Sequence, residues 1–182
     1  MTKKRSDKAS FTVIELLLVI TIIIILASLI LSTVGYVQKK GARSRAEAEI
    51  AAISAALESY KADNGTYPFD ANTNTLNATN TDSNTYSAAS LSLYKALSGD
   101  PDGDRVADQK SYFTFKPNML APAGGTGNVT AIRDPFGNSY GYSTSKNPVA
   151  NANASTALGY NPTFDLWSTA NSTDANQWIK NW

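Results

Sequence analysis

Glu15 is the one charged residue between Lys8 and Lys39, and it stands near the start of an apolar run, "FTVIELLLVITIIIILASLILS". A carboxylate near the centre of a bilayer costs on the order of 3 kcal/mol, so a segment that only anchored the chain would carry Leu there. The acid therefore points to a partner charge; the competing reading is an acid that snorkels to the headgroups. A second group of acids lies in "DPDGDRVAD", where Asp100, Asp102, Asp104 and Asp108 take positions one, three, five and nine of an EF-hand-like count. That spacing suits calcium, but Arg105 replaces the usual Gly at position six and Ser111 the usual Glu at position twelve, so a solvated acidic turn competes with it. Trp167, Trp178 and Trp182 could stack a ligand, though large aromatics more often fill a core.

Other chemistries are closed by composition. The 182 residues include no Cys and no His, which excludes disulfides, zinc of the usual Cys/His kind, and Ser-His-Asp or Cys-His nucleophiles. Carboxylates, Lys and Tyr are left for any acid–base work. A net charge of +1 gives no concentrated basic surface for phosphate, so no nucleic acid is expected as a partner.

These residues need elements to position them. From Leu16 to Gln38 no residue is charged, and a helix of that length runs roughly 35 Å, enough for a hydrocarbon core of about 30 Å. A secretory signal peptide would have a shorter apolar core and a following A-x-A-like site, which this run lacks. Lys3, Lys4, Arg5 and Lys8 precede the run, but Lys39, Lys40, Arg43 and Arg45 follow it, so charge bias leaves the orientation open. Beyond the run, Ala46, Ile50, Ile53, Leu57 and Tyr60 recur at helical spacing, and Arg45, Glu47, Glu49, Glu58 and Lys61 take other faces. No Pro falls between Phe11 and Asn64, and Asn64-Gly65 with Pro68 makes a helix stop. The pattern predicts one helix over about 11–64, apolar on all sides in its first half and striped in its second.

From residue 66 the composition turns to Asn, Thr, Ser, Gly and Tyr. "FDANTNTLNATNTDSNTYSAAS" reads as an irregular loop, and "AASLSLYKALSG" as a short helix with Leu93, Leu97 and Tyr94 inward and Gly99 ending it. "KSYFTFKP", "NSYGYSTS" and "TFDLWST" read as strands, the second preceded by a turn at Asp134-Pro135-Phe136-Gly137-Asn138. The fold class is α+β: a long N-terminal helix packed on a small antiparallel β-sheet.

"FTVIELLLVI" closely resembles the processing and assembly signature of type IV pilins and type II secretion pseudopilins, and Ala27-Ser28 also fits that family's helix. "ALESYKADNGTYP", "RDPFGNSYGY" and "FDLWSTANSTDANQWIKNW" resemble, in order, the helix end, the turn and the C-terminal segment of the major pseudopilin. Residues 69–98 and 143–160 carry no such likeness. The resemblance implies a pilin-like fold with a leader at 1–10, a transmembrane and filament-core helix at 11–38, and an extracytoplasmic domain at 39–182. It further implies cleavage between Ser10 and Phe11, N-methylation of Phe11, and neutralisation of a neighbour's terminal amine by Glu15. Opposite charges, each costly alone in lipid, attract strongly at low dielectric, which fits that role. Ser10 replaces the usual Gly before the cut, Ser32 a helix-breaking Pro, and Ile24 a mid-segment Gly.

Calcium is also implied, in the loop after Asp165-Leu166-Trp167-Ser168, where Asn171, Ser172, Asp174 and Asn176 are the candidate ligands. That loop holds no Gly and a single Asp. The expected function is a structural subunit of a pseudopilus that polymerises in the bacterial inner membrane to drive protein export. Its expected partners are further copies in a helical filament, other pseudopilins, a prepilin peptidase, a platform protein and an assembly ATPase. The expected topology is single-pass, N-terminus cytoplasmic. A type IV pilin for adhesion, motility or DNA uptake is the alternative within the class. An anchored extracytoplasmic binding protein and a carboxylate enzyme are alternatives outside it.

Overall fold

The computed structural model describes residues 12–182, apart from the side chains of Ser32 and Thr33. The expected leader and the Ser10–Phe11 cleavage site lie outside the described residues. Helix α1, Val13–Asn64, opens two residues inside the expected start and closes where Asn64-Gly65 predicts. Gly65 takes a φ of 78° and its N–H caps the carbonyl of Lys61 at 2.8 Å, the left-handed stop the sequence signals. The chain divides into one unit ending at Gly41 and one from Ala42 to Trp182.

In the first unit the large apolar side chains from Val13 to Val37 are exposed on every face, Leu31 at 75% among them. This stretch is long and apolar enough to cross a membrane. Two of its hydroxyls are satisfied internally: Thr21 donates to the Leu17 carbonyl at 2.8 Å and Ser28 to Ile25 at 2.7 Å. Such back-bonding removes the cost of an unpaired hydroxyl in hydrocarbon.

The second unit has its own core. Ala46, Ile50, Ile53 and Leu57 of α1 are buried as their spacing predicts, with Tyr60 packed at the edge. Each fully covered Ile or Leu is worth about 1.5–3 kcal/mol over leaving it in water. Against them lie Leu93, Tyr94 and Leu97 of a helix at Ser87–Ser98 (α3). Gly99 ends α3 at φ 74°, and a Cβ there would sit 2.5 Å from the Gln109 carbonyl oxygen. Two small antiparallel sheets complete the layer: β1 (Leu120–Ala121) with β2 (Ala131–Ile132), and the order β3 (Gly141–Ser143), β4 (Asp165–Ser168), β5 (Ile179–Lys180). The architecture is α+β, with two sheets in place of one.

Two local expectations are corrected. "KSYFTFKP" is not a strand; Phe113 and Phe115 meet each other edge-on at 4.7 Å, Phe115 meets Tyr94, and both pack on the core without a ladder partner. The stretch from Phe69 to Ser90, read as irregular, contains a helix at Ala71–Thr75 (α2) and a 3₁₀ turn at Ser83–Tyr86. Asp70 makes α2 by accepting the Thr73 N–H at 2.9 Å, while the Thr73 hydroxyl accepts the Asp70 N–H at 2.9 Å, a reciprocal cap. Local bonds from backbone N–H groups to polar side chains recur across the domain surface. A single ion pair, Lys110 with Asp63, occurs among the described residues.

Candidate functional site

Glu15 sits in the first turn of α1, where Thr12 is the N-cap. Its Oε2 accepts the Thr12 N–H at 2.9 Å and the Thr12 hydroxyl at 2.8 Å, and its own N–H reaches the Thr12 Oγ1 at 3.3 Å. This is a capping box, written in the sequence as Thr-x-x-Glu. It satisfies amides that a helix end in lipid would otherwise leave bare, and places negative charge at the positive end of the helix dipole. Both contacts with Thr12 use Oε2. The acid was legible as costly; its local partner was legible too, and reasoning about charge alone passed over it.

The turn at Asp134–Asn138 forms as expected, and its anchor is deeply buried. Asp134 is 4% exposed and accepts N–H groups from Phe136 and Asn138, each at 2.9 Å, and the Ser168 hydroxyl. Burial nevertheless outweighs these donors and holds its carboxyl above the usual range. Beside it, Tyr140 donates to Glu49 of α1 at 2.7 Å; burial raises Glu49, and burial plus the Glu49 charge push the Tyr140 phenol far up. Sequence reading found the turn but neither the bond from Ser168 of β4 to Asp134 nor that from Tyr140 to Glu49 of α1, which join distant segments.

Asn171, Ser172, Asp174 and Asn176 all fall in the loop between β4 and β5. The Asn171 Oδ1 accepts from the Asn138 amide at 2.7 Å, the Ser172 Oγ from the Asp174 N–H at 3.1 Å, and the Asp174 Oδ1 from the Asn176 N–H at 2.9 Å. The Trp178 indole N–H donates to the Ser172 carbonyl at 2.9 Å.

In the acidic turn, one oxygen each from Asp100, Asp102 and Asp104 come within 4.8 Å of one another; Asp108 is not among them. Asp100 is 1% exposed and already accepts from Tyr94 at 2.7 Å, Gly103 N–H at 2.7 Å and Arg105 N–H at 2.8 Å. Burial would raise its carboxyl, but those donors outweigh it and hold it low, while Tyr94 is pushed up to about 12, by burial first and Asp100 second. The chemistry is that of a hydrogen-bonded turn with two solvent-facing acids. Trp167 and Trp178 are buried, stacked at 6.4 Å, so they are core residues and no platform.

An α-helix whose first half is apolar and exposed on all sides, and whose second half is built into a small α+β domain, is the arrangement of a pilin-like fold. Residues 33–107 match the family described as type II secretion system (T2SS), protein G. The chain is 37% identical over 65 residues to the type II secretion system core protein G of Klebsiella michiganensis, a span covering 36% of this chain and 46% of that relative. It thus spans about half the length of the curated relative it matches. No solved structure matches. The family span takes in α1 from its middle through the acidic turn; Glu15 and the β4–β5 loop lie outside it.

Proposed function

We propose that this chain is a structural subunit of a type II secretion pseudopilus, not an enzyme. The observation that carries the reading is the exposed apolar sleeve of Val13–Val37 on a chain that buries its other core normally. Exposed apolar area of that extent needs lipid before assembly and neighbouring helices after it. The similarity to protein G supports a secretion filament over a pilus. In this reading a prepilin peptidase cuts at Ser10–Phe11, the sleeve waits in the inner membrane with its domain outside, and a platform protein and ATPase drive polymerisation with other pseudopilins.

The test is complementation in a host whose own major pseudopilin is deleted. The mass of the N-terminal peptide is measured alongside export and sedimentable filaments. A methylated Phe11 terminus with filaments and restored export is the expected result. Processed protein that stays monomeric in the membrane would overturn the reading in favour of an anchored binding protein, and long surface fibres without export would make it a pilin.

A further inference from the structure

Calcium, which the family resemblance implies in the loop between β4 and β5, fits this loop poorly. The ion takes six to eight oxygens, with several carboxylates in its tighter sites. Here the set is two amides, a hydroxyl and one carboxylate, and Asn171, Ser172 and Asp174 each have a side-chain oxygen engaged within the chain. The loop is also tied along its whole length. At its start Ser168 donates to buried Asp134 and receives the Ala170 N–H at 3.1 Å. At its crest Asn138 holds Asn171, which carries a φ of 59° that Asn tolerates better than most residues. At its end the Arg43 guanidinium donates to the Gln177 carbonyl at 2.6 Å, and the Trp178 indole closes on Ser172.

We propose that residues 169–178 are ordered by the chain's own side chains in place of a cation, with Asp134, Asn138 and Arg43 as the three ties, so that the domain is indifferent to calcium. Arg43 supplies at the loop's end the positive charge that an ion would bring, and does so from α1. Chelator insensitivity would hold whether the subunit builds a secretion filament or a pilus.

The test is thermal unfolding of the full-length protein in detergent, followed by Trp fluorescence, in a calcium chelator and then in millimolar calcium. The parent is expected to unfold at one midpoint in both, and Asn138→Ala and Arg43→Gln at lower midpoints that calcium does not restore. A midpoint raised by calcium in the parent but not in Asp174→Asn would overturn the proposal. A rise kept in Asp174→Asn but lost in Asp102→Asn would put an ion at the acidic turn and would equally overturn the domain's indifference to calcium.

Discussion

Gly141→Ala offers a sharp test of the packing that supports the C-terminal loop. Gly141 opens β3 directly opposite Trp167 of β4. A Cβ there would lie 2.1 Å from the indole Cε2 and 2.3 Å from Cζ2, well inside contact distance. The ring cannot move away easily: Trp167 is fully buried, meets Tyr86 edge-on at 5.2 Å, stacks on Trp178 at 6.4 Å and touches Trp182 at 5.9 Å. Overpacking a tight core costs about 1–3 kcal/mol, and a clash with a ring held on three sides belongs at the upper end. At roughly 3 °C per kcal/mol for a domain of this size, the midpoint should fall by about 10 °C. The assay is thermal unfolding in detergent read by Trp fluorescence, with Gly41→Ala as control, since nothing lies within 4 Å of a Cβ at that helical position. A Gly141→Ala midpoint within about 2 °C of the parent would refute the reasoning, because a single kcal/mol already moves it further.

Glu15→Ala should insert in membranes yet yield no sedimentable filaments, whereas Glu15→Gln keeps an oxygen for the Thr12 cap but not the charge; normal filaments from the Gln variant would reduce the residue to a helix cap. Asp134→Ala should cost about 3 kcal/mol in urea unfolding, because it strips partners from two N–H groups and the Ser168 hydroxyl. Asp134→Asn keeps an acceptor and should be nearly neutral at neutral pH. With its folded pKa raised, Asp134 contributes stability that is fully present below its ordinary value of 3.8 and is lost as pH rises through the folded value. The Asp134→Asn variant should therefore gain on the parent as pH rises from about 4 to neutrality, and a constant difference between the two curves would contradict this. Tyr140→Phe should cost about 1–1.5 kcal/mol by the same unfolding assay, since it leaves the half-buried Glu49 without its donor.

The helices were the legible part. Ile50, Ile53 and Leu57 on one face, and Leu93 with Leu97 before Gly99, are local patterns that need no knowledge of a partner. Strands of two residues, such as Leu120–Ala121, are too short to show an alternation, and no local pattern marks Ala131–Ile132 as their partner. "KSYFTFKP" shows the opposite failure: it alternates, but its aromatics satisfy one another and the core instead of a ladder. The turn at Asp134 was legible through Pro135 and Gly137, whereas its link to Ser168 depends on β4 arriving beside it. The Asx caps of residues 70–86 could have been read from Asp70-x-x-Thr73 and Asp82-x-Asn84, had the polar stretch been taken as backbone-binding and not merely polar.

The scarcity of ion pairs has a consequence for where such a domain can work. Attraction between exposed opposite charges fades once dissolved salt shortens its reach to a few ångströms, while an N–H bonded directly to an oxygen at about 2.9 Å is screened much less. With one exposed pair among the described residues, Lys110 with Asp63, and its turns tied by short hydrogen bonds from backbone N–H groups to Asp, Asn, Thr and Ser side chains, this domain should melt at nearly the same temperature in fresh water and in brine.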